Sequence, residues 1–373
     1  MKLSPEARIV LLLAQPLPSP SVMQEVQALL TDSLRPADYD RLLQLASDNR
    51  VTPFLYKHLA PLQIVPPEAM ERLKKHYIVT IQRNAAHLEE TLQIVDILSA
   101  AGIRSIPLKG SFAAETLIGD MGLYPTSDID LLVHWDDLKK GQESLIAAGF
   151  GLSESISEQD QLLGSYHLYF HKDTTMLELH WNLVRRYFKA ASAYWWEDSE
   201  ETTFRGLTIP CLSNEKYLLY LIFRLFCKAF MPLHHMVLMP ALLGQKFDSE
   251  KFMASASHLR MKRLALFTLK LMHDSFGIDV PGPVTQNRMI GYDYLRRFVI
   301  RGLFTPDVKP HRRMAVLLLL LDSPFDIFNV LLRRLFPTPA EIRLRYNIPA
   351  GSLKLLPYYL FNPLIMLFRK SPR

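Results

Sequence analysis

The chain has 373 residues, of which 49% are hydrophobic and 21% charged, with a formal net charge of +6. This balance excludes a disordered polyelectrolyte and supplies enough apolar material for a sizeable core spread over two or three domains. The positive excess suits anionic ligands without choosing among nucleotide, nucleic acid and lipid headgroup. Cys211 and Cys227 make neither a disulfide framework nor a zinc spacing, and they fit a reducing cytoplasm.

Near the start, Lys2 and Arg8 bracket an apolar run, 9–14, that faintly mimics an export signal. Ser4-Pro5-Glu6 argues instead for a helix start, with a capping hydroxyl, a proline in the first turn and an acid near the positive end. Pro16, Pro18 and Pro20 then break the chain, so a short packed helix is predicted here. Apolar residues recurring three and four apart predict helices at 22–30, 38–49, 51–59 and 67–98, the last closed by Gly102.

The stretch 106–133 organises the rest. Residues 106–108 read as the end of a buried strand, and Gly110-Ser111 opens an amphipathic helical segment reaching Leu117. A helix start leaves backbone N–H groups unpaired and partly positive, which favours phosphate. Gly110 lets the backbone approach a ligand closely, and Ser111 can cap the helix or donate to a phosphate oxygen. After Ser127, the run Asp128-Ile129-Asp130-Leu131-Leu132-Val133 reads as a strand. Its alternation points both aspartates one way and Ile129 and Leu131 the other. Two such carboxylates entering a core need a cation, and a hard dication such as magnesium prefers carboxylate and phosphate oxygens.

Trp135-Asp136-Asp137 opens a helix to Ala148, ended by Gly149. Residues 167–171 and 175–180 alternate as two antiparallel strands around Lys172-Asp173-Thr174, with Met176, Glu178 and His180 on one face. His167, His171 and His180 with Glu178 form an alternative zinc ligand set; the role favoured for His180 is to orient a metal-bound carboxylate or the acceptor. Residues 203–210 read as a hairpin or edge strand carrying Gly206. Beyond Ser213 the pattern is helical again, at 213–230, 234–243, 249–273, 284–303, 312–321 and 324–335. The closing apolar segment, 353–368, is interrupted by Pro357, Asn362 and Pro363 and is too short to span a bilayer. It suits packing on the domain or peripheral membrane contact. The predicted fold class is α+β: a small mixed β-sheet core at 99–212 between helical regions at 1–98 and 213–373.

The segment LKGSFAAETLIGDMGLYPTSDIDLLV, followed by an acidic helix, Gly149-Phe150 and LELHW, resembles the uncharacterised nucleotidyltransferase family of bacteria. That family is a branch of the superfamily that includes DNA polymerase β. The similarity is strong over the central third and looser in the flanking helices. It implies transfer of a nucleoside monophosphate from a nucleoside triphosphate to an acceptor hydroxyl or phosphate, in peptide or polysaccharide tailoring. A toxin-like enzyme acting on tRNA, and a non-catalytic binding protein on a degenerate transferase fold, are the alternatives. The resemblance further implies two magnesium or manganese ions held by Asp128, Asp130 and a third carboxylate, for which Glu178 is the match. Lys109, Gly110, Ser111 and Ser127 are the expected nucleotide-binding residues, and the acceptor is a peptide, sugar or RNA. The family pattern has Arg-Pro-x-Ser before the aspartates; this chain has Tyr124-Pro125-Thr126-Ser127.

Overall fold

The computed structural model describes residues 3–35, 38–152, 158–184, 188, 190–280, 288–305, 313, 316–346, 348–349 and 352–368. Helix α1 (Pro5–Leu13) starts as its sequence dictates, with Ser4 Oγ accepting the Ala7 amide at 3.4 Å. Its run Ile9 to Leu13 is buried on every side. Helices α2 (Pro20–Asp32), α3 (Asp38–Asp48) and α4 (Thr52–Leu59) follow. Then comes α5 (Pro67–Ala100), which at 34 residues is about 51 Å long. Gly102, at φ 71°, ends it: the Gly102 amide donates to the Ser99 carbonyl and the Ile103 amide to the Leu98 carbonyl. This is the Schellman closure that glycine permits, and Ile103 packs in the same core as Leu98.

The sheet is assembled from β1 (Ser105–Pro107), β2 (Ile129–Val133), β3 (Gly151–Leu152), β4 (His167–Lys172) and β5 (Thr175–His180), in the order β1-β2-β5-β4-β3. β2 and β5 run parallel; the other pairs are antiparallel. Alternation divides each strand between two environments. Ile129, Leu131, Leu168, Phe170, Leu177 and Leu179 pack against Leu88, Ile94 and Leu98 of α5 and against Leu138 and Leu145 of α7 (Leu138–Ala147). Burying each of these large side chains stabilises the fold by about 1.5–3 kcal/mol. Asp130, Glu178, His180 and His167 are left on the opposite face, where Leu132 joins the helical core. A second hairpin, β6 (Glu200–Phe204) and β7 (Leu207–Cys211), turns at Arg205 and Gly206, both at positive φ.

The C-terminal half contains α9 (Asn214–Cys227), α10 (Met239–Leu243), α11 (Ser249–His258), α12 (Lys262–Phe276) and α13 (Tyr292–Phe304). After these come α14 (Pro324–Leu335), α15 (Pro339–Tyr346) and α16 (Leu355–Phe368). Buried residues of α9 to α14 share one core with α1 to α4. Arg8 Nη1 donates to the Ser275 carbonyl at 2.9 Å and Gln15 Nε2 to the Phe276 carbonyl at 3.0 Å, fastening α1 to the end of α12.

Several predicted elements differ from the observed ones. The helix expected at 249–273 is divided at Leu259-Arg260-Met261, where Arg260 adopts φ 55°. The segment opened by Gly110 is a single α-turn, α6 (Gly110–Ala113), that widens into a π-turn over Ala114–Ile118. Within 284–303, helix begins only at Tyr292, after Gly291 at φ 79°; residues 284–287 lie outside the described residues. Of 312–321, the described residues 313, 316 and 317 are helical as predicted, and the helix tightens into a 3-10 turn at Leu318–Leu320. Pro363 is accommodated inside α16, whose helix continues to Phe368. The short helix α8 (Glu158–Gly164) and α15 were not anticipated. Among the described residues no helix is long and apolar enough to cross a membrane.

Candidate active site

The sheet register places the acidic residues. β2 and β5 pair Asp130 with Glu178 and Leu132 with His180, so two segments distant in sequence bring their polar side chains level. Asp128 lies one residue before β2 on the same face, and carboxylate oxygens of Asp128, Asp130 and Glu178 all lie within 4.8 Å of one another. Antiparallel pairing of β4 with β5 adds His167 opposite His180.

Lys109, His180 and Arg224 meet these carboxylates. Lys109 Nζ is 2.9 Å from Asp128 Oδ2, to which it donates a hydrogen bond, and 2.8 Å from Asp130 Oδ2. The second contact is an ion pair without hydrogen-bond alignment, so Asp130 Oδ2 is a buried carboxylate oxygen that accepts no hydrogen bond. His180 Nε2 stands 3.2 Å from both Asp130 Oδ1 and Glu178 Oε2. Arg224, from α9, approaches Asp130 Oδ1 to 3.9 Å. Burial works against the charge of Asp130, but Lys109, the His180 hydrogen bond and Arg224 outweigh it and hold its carboxyl well below the usual range. Burial likewise opposes the Lys109 ammonium, and the Asp130 and Asp128 carboxylates overcome that and the repulsion from Arg224 to push its pKa up. For His180, burial favours the neutral ring, while hydrogen bonds to Asp130 and Glu178 raise its pKa.

This donor set fits a hard dication. All three acids offer oxygen, the Asp130 side chain is fully buried, and its orphaned oxygen lacks the hydrogen bond that buried carboxylates normally have. The partly exposed Asp128 and Glu178 and the exposed Ser127 form the open side. Ser127 Oγ donates to Asp128 Oδ1 at 3.2 Å. Gly110, at φ 76°, lies so close to Thr126 that a Cβ there would come within 3.0 Å of Thr126 Oγ1. No side chain caps the turn it opens, and Ser111 is buried beside it.

Thus Lys109, Gly110, Ser127, Asp128, Asp130, Glu178 and His180 lie together at one end of the sheet, Ser111 is a buried residue of the turn that Gly110 opens, and His171 is exposed. Tyr124, standing where the family pattern has arginine, is buried and stacks on His234 with centroids 4.3 Å apart, its carbonyl held by Asn84 at 2.7 Å. Arg224 was missed in the sequence. Its signal was a basic residue within an otherwise apolar helical run, where a buried charge demands a partner. A cleft of about 430 Å³ beside α12, lined by Lys262, Arg263, Lys270 and Asp322, includes none of these residues. Its acid, Asp322, already accepts the Lys262 and Arg263 amides.

A family model described as uncharacterised nucleotidyltransferase matches residues 35–277. No curated protein sequence and no solved structure gives a match. The match spans well over half of the chain and includes the sheet, α5 and α9 with all the converging residues, so the chain belongs to the uncharacterised nucleotidyltransferase family.

Proposed function

We propose that this protein moves a nucleoside monophosphate from a nucleoside triphosphate to an acceptor hydroxyl or phosphate. The observation that carries this reading is the register of β2 beside β5, which sets Asp130 level with Glu178 and next to Asp128. Magnesium or manganese, as a pair of ions, would neutralise the triphosphate and lower the pKa of an attacking hydroxyl. Asp128, Asp130 and Glu178 would hold the metal. His180 Nε2 fixes the Asp130 and Glu178 carboxylates in position. Gly110 and Ser111 offer an uncapped turn for the phosphate tail, with the Ser127 hydroxyl at the open side. Lys109 and Arg224 supply positive charge where phosphate oxygens would arrive. Such catalysis is positioning plus electrostatic stabilisation, and it requires no covalent nucleophile.

The acceptor in this reading is a peptide, sugar or RNA. The exposed Phe325, Phe328, Leu356, Leu360 and Phe361 on α14 and α16 support peripheral contact of this end with a membrane surface. Asp128→Asn tests the transfer reaction. Asp128 is partly exposed and outside the strand ladder, so the variant should fold normally and lose turnover by ~10²–10⁴-fold with labelled triphosphate and cell extract. Retained turnover would remove Asp128 from the chemistry and overturn the scheme.

A further inference from the structure

One ring on the same sheet face, that of His167, takes no part in this chemistry. His167 is 93% buried from its 7% exposure, yet neither ring nitrogen has a hydrogen-bond partner. A neutral imidazole carries one donor and one acceptor, and leaving both unmet in a protein interior is destabilising. His180 is fully buried, and its Nδ1 is likewise unpartnered. The two rings face each other across the β4–β5 pair with centroids 4.8 Å apart. Tyr166 and Tyr169 stand edge-on to His167, at 5.0 Å and 4.5 Å, and wall its ring in place. Ligand atoms of His167, Glu178 and His180 all lie within 4.8 Å of one another.

We propose that His167, Glu178 and His180 form a site for a borderline-soft transition-metal dication of the zinc class. Two imidazoles and one carboxylate are a ligand set that such ions take while keeping a further position open. Magnesium, by contrast, seeks oxygen and belongs to the carboxylates beside it. Glu178 belongs to both groups, which ties occupancy of this site to the carboxylate cluster. The ion identity follows from the histidines and stands whether or not nucleotidyl transfer is the reaction.

Cobalt(II) is the probe, because its visible absorption reports nitrogen and oxygen ligation directly. Full-length protein, stripped with chelator and dialysed against cobalt, should retain one equivalent with ligand-field bands. His167→Gln should weaken cobalt binding more than ~100-fold, while Asp128→Asn should leave it within ~3-fold. Absence of cobalt binding by the unmodified chain, or equal affinity in His167→Gln, would overturn the proposal. Loss of cobalt in Asp128→Asn with retention in His167→Gln would also overturn it, by placing the ion on the aspartates. If His167→Gln fails to fold by circular dichroism, pulsed electron paramagnetic resonance of the copper(II)-loaded unmodified protein decides. Two coordinated imidazoles support the site, and one or none refutes it. Magnesium–nucleotide titration of the same samples separates this outcome from that of the transfer reaction.

Discussion

Replacing Lys109 by methionine should make the stability of this protein depend on divalent metal. Methionine keeps the length and apolar stem of lysine but removes the charge at 2.9 Å from Asp128 and 2.8 Å from Asp130. Each contact contributes about 6 kcal/mol at an effective dielectric near 20, before the cost of desolvating the ammonium. Breaking one partner from a buried ion pair typically costs about 3–5 kcal/mol net, because the remaining charge is left uncompensated. Here that charge is the fully buried Asp130, close to a second carboxylate. In EDTA the variant should therefore melt roughly 6–20 °C below the unmodified protein, at about 2–4 °C per kcal/mol. Manganese or magnesium at about 100 times its Kd would return about 2.7 kcal/mol, and the gain should be much larger in the variant, where no ammonium competes. Calorimetric melts of both proteins with EDTA and with metal test this. A variant melting within about 2 °C of the parent in EDTA, or equal metal shifts in both proteins, would refute the idea that Lys109 and a dication share one place.

Three further outcomes are expected. Arg224→Gln should weaken triphosphate binding by ~10–150-fold, the loss of one charge-assisted contact, with partial recovery in Arg224→Lys; isothermal titration giving an unchanged Kd would reduce Arg224 to a packing neighbour of Asp130. Burial depresses the pKa values of His58, His234 and His235, for His235 to about 3, and so favours their neutral rings in the folded state. The unfolded chain takes up these protons near pH 6.5, so stability is full above that value and falls by up to about 1.4 kcal/mol per pH unit per histidine below it. Denaturation midpoints that stay level between pH 7.5 and 5.0 would contradict this. Finally, Phe325→Ser with Phe361→Ser should reduce co-sedimentation with anionic liposomes several-fold; equal pelleting of parent and variant would remove the membrane from the account of this surface.

The sheet was legible because strand alternation is a strong local code. Asp128 and Asp130 fell on one face, as did Glu178 and His180, and the positions between them were apolar enough to name the buried side. Equally legible were the caps at Ser4 and Gly102, whose residue types do one thing well. The break at Arg260 was hidden, since neither glycine nor proline marks it and tertiary packing alone holds that residue at positive φ. The pairing of α8 with α15 was equally silent: it depends on Gly164, where a Cβ would come within 2.6 Å of Leu344 Cδ1 and 3.1 Å of the Glu341 nitrogen. Nor could spacing reveal that Arg224 arrives from α9, or that Lys109 lies between the two aspartates instead of beside them. Such contacts are made by the fold, and their physical mark in the sequence is only a charge in apolar surroundings.

The hairpin joining β4 to β5 turns at Asp173-Thr174, with Lys172 opposite Thr175 and Asp173 at φ 50°. Because side chains swap faces at every step, an odd-numbered insertion or deletion between this loop and Glu178 would rotate the glutamate and His180 into the oily layer beneath. An even-numbered one would slide them along but keep them facing outward. The count of strand residues from Thr175 to Glu178 is thus a hidden constraint on the chemistry at the far end of the strand, and natural variants that tolerate changes within that segment should differ in steps of two.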